Sequence, residues 1–207
     1  GPFNVTPLDM ATAYATFAND GLQVDPIFIE RVEDRSGEIV FANEPNPSRA
    51  ISVQSARLVT SVLEANVRGG TGTGAQISGQ TAAGKTGTGQ SFKNAWFVGY
   101  TPYLATAVWM GNPLAEVEMR GVRIPELGYK NGVTGGSAPA AIWSAFNEFY
   151  HADLDPRSFS APAPTRSGKR VRTDAEEDSY NKALNTLCGS KDAEVDWDRD
   201  GVVDFCK

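Results

Sequence analysis

The interpretation of this chain depends on one stretch, Gln80-Thr81-Ala82-Ala83-Gly84-Lys85-Thr86-Gly87-Thr88-Gly89. It places a single lysine within a run of small and hydroxylated residues. Residues 79–86 match the P-loop pattern G-x-x-x-x-G-K-[ST], in which loop amides cradle phosphate. A P-loop follows a hydrophobic strand and opens a helix, whereas here a half-polar segment precedes the lysine. Two glycines follow it, each costing a helix about 1 kcal/mol relative to alanine. These flanks argue against nucleotide binding.

As a strand, the same stretch carries a different chemistry. The period of two puts Thr86 and Thr88 on one side, where their hydroxyls are available to an anion. Lys85 adds a positive charge, and Gly87 lets another backbone approach closely. An extended peptide that ends in a carboxylate would add along such an edge, with the Thr88 amide as one donor of an oxyanion hole. The alternative is a glycine-rich edge strand with a surface lysine, and these residues alone leave both open.

The rest of the chain predicts an α/β domain of the α+β type, in which a mostly antiparallel sheet is flanked by helices. Two β-like runs joined by the turn at Thr101-Pro102 should pair antiparallel. The first predicted helix is apolar on most sides, which indicates burial. Caps, apolar spacing and turn residues predict strands at 95–100 and 104–110, helices at 6–21, 52–70 and 139–150, a hairpin at 27–41, and loops at 45–50, 70–79 and 114–136.

Charge divides the chain in two. Residues 174–207 carry ten of its 25 acidic side chains and four of its 19 basic ones, so residues 1–173 are neutral. A neutral body argues against a nucleic-acid binder. No apolar run approaches the roughly 20 residues that span a bilayer, and no signal peptide opens the chain. We therefore expect contact with a membrane only through an anchor upstream of this sequence.

Three stretches together resemble the C-terminal half of the transpeptidase domain of class A penicillin-binding proteins. They are Ala83-Gly84-Lys85-Thr86-Gly87-Thr88-Gly89, residues 94–102 (NAWFVGYTP) and residues 105–112 (ATAVWMGN). Residues 5–21, 70–74 and 135–143 agree with it, so the resemblance covers about residues 4–151. It implies a penicillin-binding and β-lactamase-like fold that is incomplete here, because the helical lobe with S-x-x-K is absent.

The resemblance implies a parent enzyme that cross-links peptidoglycan stem peptides through a serine acyl-enzyme and binds β-lactams at the same site, without a cofactor. By match to the family's K-T-G element, Lys85, Thr86, Gly87 and Thr88 are the catalytic strand, and Lys85, Thr86 and Thr88 hold the substrate or β-lactam carboxylate. The family's S-x-x-K and S-x-N elements are missing, so we expect the nucleophile in an upstream half or a separate chain. The isolated chain is then inactive and the parent extracytoplasmic, anchored by an N-terminal transmembrane helix.

Two other functions compete with this prediction. One is a non-catalytic extracellular module that binds the cell wall or calcium on a transpeptidase remnant. The other is a β-lactam hydrolase, which the matches around Trp96 and Trp109 disfavour. The single histidine, His151, ends a helix with no nucleophile beside it, so we expect it to have a surface or packing role.

The sequence divides into a transpeptidase part at 1–153, a linker rich in proline, serine, alanine and basic residues at 154–173, and an acidic tail at 174–207. The tail spaces its oxygen donors like the front of an EF-hand loop, without the glutamate of position 12, and the alternative is a solvated acidic tail. Cys188 and Cys206 suit a structural disulfide in an oxidising compartment, or else two free thiols. The candidate calcium ligands are Asp196, Asp198, Asp200, the carbonyl of Val202, and Asp204.

Overall fold

A computed structural model of the chain describes residues 4–164 and the strand residues 194–195 and 204–205. The chain divides into two compact units, Gly1–Pro162 and Ala163–Lys207, and the boundary lies within the segment predicted as a linker. Across the described residues, every helix is too short or too polar to span a bilayer.

The first unit contains three helices and nine strands in its described residues. In chain order these are α1 (Pro7–Ala18), β1 (Leu22–Gln23), β2 (Arg31–Glu33), β3 (Ile39–Ala42), β4 (Ser48–Arg49), α2 (Val53–Gly69), β5 (Ala83–Thr88), β6 (Asn94–Tyr100), β7 (Ala105–Gly111), β8 (Val122–Ile124), β9 (Gly128–Lys130) and α3 (Ala138–His151). Short 3-10 turns occur at Thr73–Ala75 and Gln90–Phe92. In the second unit, β10 (Glu194–Val195) pairs antiparallel with β11 (Asp204–Phe205).

The centre of the first unit is the antiparallel sheet β5-β6-β7. Successive side chains of a strand point to opposite faces, so β6 contributes to two core layers. On one face Phe97 packs edge-on against Trp143 of α3, with ring centres 5.4 Å apart. On the other, Tyr100 packs against Tyr14 of α1. Because α2 lies against β5, the sheet is covered where β5 begins, and its outer edge near Thr88 stays open.

α1 begins where its sequence predicts, and its first turn forms a capping box. The Asp9 amide donates to Thr6 Oγ1 (3.1 Å) and the Thr6 amide donates to Asp9 Oδ2 (2.9 Å). The prediction that this helix is buried on all sides is wrong for this chain. Only Thr16 among its residues is buried, and Leu8 is 47% exposed. The reason is that α1 is covered by the sheet on one side and by little else on the other.

The sequence did not indicate four short strands, which are β1, β4, β8 and β9. β4 lies inside the loop predicted at 45–50 and pairs with β1. The hairpin β8-β9 lies inside the loop predicted at 114–136. These strands have two or three residues each, which is too few for alternation to show. The hairpin β2-β3 is also short, but its turn residues indicated it, and that prediction is confirmed. In the connection from β5 to β6, Ser91 and Phe92 take φ values of 55° and 57°, a conformation that is uncommon outside glycine.

His151 has the packing role that the sequence predicts. Its Nδ1 lies 2.6 Å from the Asn147 carbonyl, which only accepts, so Nδ1 carries the proton. Nε2 lies 2.8 Å from the Thr101 hydroxyl oxygen. That oxygen accepts from the amides of Tyr103 and Leu104. The imidazole thus holds the turn between β6 and β7 against α3.

Candidate active site

β5 is an edge strand, and part of its backbone faces away from the sheet. The Gly89 amide, just after the strand, donates to Asn94 O on the β6 side at 2.7 Å. Gly84 O instead accepts from a side chain of α2 at 2.8 Å. Because neighbouring residues of a strand direct their N–H and C=O groups to opposite sides, Thr86 and Thr88 direct theirs to the open edge. These are the groups that an added strand would pair with.

Lys85 reaches round this edge. The residue is exposed, and its ammonium donates to Thr86 O at 3.0 Å and lies 3.3 Å from Thr86 Oγ1. A positive charge, a hydroxyl and an edge carbonyl therefore meet within one residue's length of the strand. The ammonium and the hydroxyl are both hydrogen-bond donors, and this pair favours an anion.

The hydroxyls of Thr86 and Thr88 lie on one face of β5, the opposite face from the lysine's Cβ. Thr86 Oγ1 is 2.8 Å from Thr71 Oγ1 in the loop after α2. Thr88 Oγ1 accepts from the Gly135 amide at 3.1 Å. Because it accepts there, its own proton is free to be donated to a ligand.

Gly87 lies where two segments approach the strand closely. A Cβ on Gly87 would be 3.2 Å from Trp96 Cβ, and a Cβ on Gly135 would be 2.6 Å from Gly87 O and 2.8 Å from Gly87 N. The loop before α3 therefore rests on the backbone of Gly87. This contact fixes the turn that supplies the Gly135 amide to Thr88.

The sequence analysis missed Asn66, which joins the last turns of α2 to β5. Its Nδ2 donates to Gly84 O at 2.8 Å, and its Oδ1 accepts from the Thr71 amide (3.0 Å) and hydroxyl (3.1 Å). A signal was present in the chain: Asn66 is polar, yet it lies next to the buried Val67 and three residues after the buried Leu63. A polar side chain on that stripe requires a partner in the protein.

The candidate calcium and disulfide residues lie almost entirely in the part of the chain that the structure does not describe. Asp196, Asp198, Asp200, Val202, Cys188 and Cys206 lie outside the described residues, and Asp204 is described only as a strand residue of β11. The pairing of Val195 with Asp204 does place the two ends of the Asp-rich segment side by side.

Known proteins similar to this chain agree with its fold. The family profile described as penicillin binding protein transpeptidase domain matches residues 1–119. The chain therefore belongs to the penicillin-binding protein transpeptidase-domain family. The predicted fold class, an α/β domain with an antiparallel sheet, is confirmed by the solved structures that it matches.

Among curated relatives, penicillin-binding protein 1A of Aquifex aeolicus is 40% identical over 111 residues, covering 54% of this chain and 15% of the relative. That of Mycolicibacterium smegmatis is 34% identical over 175 residues, covering 81% and 21%. The chain thus spans about a fifth or less of the length of these relatives.

Two solved structures extend the comparison. The PonA1 protein from Mycobacterium tuberculosis in complex with penicillin V has a TM-score of 0.67 at 29% identity, covering 80% of this chain and 43% of that one. The D,D-transpeptidase domain of a peptidoglycan glycosyltransferase from Eggerthella lenta has a TM-score of 0.55 at 28% identity, covering 72% and 32%.

Proposed function

We propose that this chain supplies the substrate-aligning strand of a serine-type D-Ala-D-Ala transpeptidase, and that its parent protein cross-links peptidoglycan stem peptides. The observation that carries the proposal is the outer edge of β5, where Lys85, Thr86 and Thr88 present an ammonium, two hydroxyls and backbone groups that face away from β6. The resemblance to proteins solved as a D,D-transpeptidase domain and as a penicillin complex supports it.

In this proposal the stem peptide adds to β5 as an antiparallel strand. Main-chain hydrogen bonds to Thr86 and Thr88 then provide affinity. The terminal carboxylate lies against the Lys85 ammonium and the two threonine hydroxyls, where charge-assisted hydrogen bonds fix its position. A β-lactam, which also carries a carboxylate beside its reactive carbonyl, uses the same donors.

The chemical step requires a serine that the parent protein supplies from outside this chain. The serine oxygen attacks the carbonyl of the penultimate D-alanine, the bond to the terminal D-alanine breaks, and that residue leaves as the free amino acid with the serine's proton. The amine of a second stem peptide then attacks the ester and releases the serine. The Thr88 amide stabilises the oxyanion that forms in each attack, and no cofactor is needed. A parent that acts on peptidoglycan works outside the cytoplasm, with its membrane anchor upstream of this chain.

A fluorescent penicillin tests the proposal. The complete parent protein should be labelled covalently, and labelling should survive denaturation. Lys85→Ala in the parent should reduce the labelling rate at least about tenfold, because a charge-assisted bond to the carboxylate is lost. Lys130→Ala, on β9, is the matched control and should label normally. An unlabelled parent would contradict the proposal and favour a non-catalytic module that binds the cell wall. Labelling of the isolated chain would contradict a nucleophile located upstream.

We also propose that the acidic tail binds calcium. The spacing of Asp196, Asp198, Asp200, Val202 and Asp204 supplies the carboxylate and carbonyl oxygens that calcium prefers. The β10-β11 pairing supports the proposal, since it closes the ends of that segment. Terbium luminescence of the full chain should appear on titration and be competed by calcium, and Asp198→Asn should abolish it. If no luminescence appears on titration with terbium, or if millimolar calcium fails to reduce it, this second proposal is contradicted.

A further inference from the structure

We propose that Asn66 is a positioning residue, which sets the Thr86 hydroxyl for recognition of the substrate carboxylate by way of Thr71. This inference rests on the proposed function, because it takes Thr86 to be a carboxylate-binding residue. Nothing in the K-T-G pattern indicates Asn66, which lies 18 residues before Gly84 on a different element.

The loop that follows α2 lies against both sides of the side-chain amide of Asn66. A Cβ on Gly70 would lie 2.5 Å from Asn66 Oδ1, and a Cβ on Gly72 would lie 2.8 Å from Asn66 Nδ2. The main-chain amides of Gly70 and Gly72 donate to the main-chain carbonyl of Asn66, at 2.9 and 3.3 Å. The loop therefore wraps closely round this residue, and glycine at both positions makes that approach possible.

The side chain of Asn66 bridges this loop and β5. Its Nδ2 binds Gly84 O, and its Oδ1 binds the amide and hydroxyl of Thr71. These bonds fix the separation of the loop from the strand, and they bring the Thr71 and Thr86 hydroxyl oxygens to 2.8 Å. A shift of either segment would break that contact, because hydroxyl hydrogen bonds weaken beyond about 3 Å.

The Asn66 bridge determines which way the hydroxyl protons of Thr71 and Thr86 point. A threonine hydroxyl has one proton and can also accept, and Asn66 Oδ1 has none to give. Without a ligand, the Thr71 hydroxyl donates to Asn66 and the Thr86 hydroxyl donates to Thr71. When a carboxylate binds, the Thr86 proton turns to it, and the Thr71 proton turns from Asn66 to Thr86. The Thr71 amide continues to satisfy Asn66 Oδ1 throughout. Two hydroxyl rotations thus ready Thr86 as a donor, without movement of any heavier atom.

The experiment compares acylation of the complete parent protein by benzylpenicillin and by its methyl ester. The ratio of the two acylation efficiencies measures how strongly the site recognises the carboxylate. Asn66→Val removes the bridge, and Thr71→Val removes only the hydroxyl while keeping its shape and its amide bond to Asn66. Each should reduce the ratio about 5- to 20-fold, the range expected when a hydrogen bond to a charged group is impaired. Acylation by the ester should change less than about twofold.

Two variants complete the test. Thr71→Ser, which keeps the hydroxyl, should restore the ratio. Ala65→Ser, at the adjacent exposed position of α2, should leave it unchanged. If Asn66→Val does not fold, Thr71→Val carries the test alone.

The outcomes separate the two proposals. A wild-type parent that penicillin does not acylate contradicts the proposed function. A reactive parent in which both variants keep the wild-type ratio overturns the role of Asn66. Equal losses with the acid and the ester also overturn it, because they indicate a general effect on folding and not on the carboxylate.

Discussion

At the scale of single residues, the structure adds partners that lie far apart in the sequence. Asp20, which follows α1 with a φ of 51°, binds Arg57 of α2 through both carboxylate oxygens, at 2.9 and 2.6 Å. Arg49 also donates to the Asp20 carbonyl. The ion pair between Asp20 and Arg57 therefore joins the segment that follows α1 to the first part of α2.

This ion pair gives a prediction for the dependence of stability on pH. The hydrogen bond from Arg57 lowers the pKa of Asp20 below its ordinary value, with a smaller contribution from Arg49. The stabilisation is then fully present above the ordinary pKa of about 3.9 and is lost as pH falls through the lowered value. Arg57→Met should lower the urea midpoint at pH 7, and the difference from wild type should disappear in acid. Arg31→Met, which breaks an exposed pair with Glu33, should change the midpoint little at either pH. A difference for Arg57→Met that persists in acid would contradict the assignment.

Single residues also show how much of the candidate site could be predicted from the sequence. Lys85, Thr86 and Thr88 could be placed on one strand because alternation is a local rule. Asn66 and the Asp20–Arg57 pair could not be predicted, since side-chain partners 18 and 37 residues apart have no local signature. The roles of the three strand residues toward a carboxylate stay a prediction until the labelling experiment is done.

At the scale of elements, the long strands, the capped helices and the hairpin β2-β3 were predictable, whereas β1, β4 and the hairpin β8-β9 were not. The strands β6 and β7 have seven residues each, and their apolar runs and glycine stop indicated both. The hairpin β8-β9 has three residues in each strand and a mixed composition. It is formed because Met119, Val122, Ile124 and Leu127 pack against a small cluster round Ala95 and Val133, a tertiary effect that composition does not show.

The loop before α3 gives a second prediction. Gly135 has no space for a Cβ, because the backbone of Gly87 and Trp96 occupies it. Gly135→Ala should displace this loop from β5, break the bond from its amide to Thr88, and lower the free energy of unfolding by about 1–3 kcal/mol, as overpacking does. Gly69→Ala is the matched control, since nothing lies within 4 Å of its Cβ position. It should be neutral or slightly stabilising, because alanine favours a helix. Chemical denaturation measures both, and equal stability of the two variants would contradict the close approach.

At the scale of the whole molecule, the described part of the chain exposes apolar surface that is available to a covering segment. Leu8 of α1 is 47% exposed, Val62 of α2 is 68% exposed, and Phe28 is 81% exposed. Large exposed apolar patches mark interaction sites or cause self-association. The matched solved proteins are more than twice as long as the part that this chain covers, which is consistent with such a cover.

This surface predicts the behaviour of the isolated chain. It should bind the dye ANS and self-associate as its concentration rises, measured by fluorescence and by light scattering. Leu8→Glu together with Val62→Glu should reduce both signals without lowering the melting temperature, because neither side chain is buried. Addition of the upstream half of the domain should reduce them as well. A chain that stays monomeric and binds no ANS would show that its exposed residues do not form a continuous patch.

The contact between Lys85 and the carbonyl of Thr86 has a further consequence, for the solubility of the protein. An open edge strand is a template on which other chains can pair and aggregate, and natural proteins guard such edges with charged side chains, lysine above all. Lys85 covers the edge of β5 in this way. Under the proposed function, a neutral peptide would meet an edge that is already occupied, whereas one that ends in a carboxylate would draw the ammonium away. The residue that would recognise the right strand is therefore also the one that keeps wrong strands off.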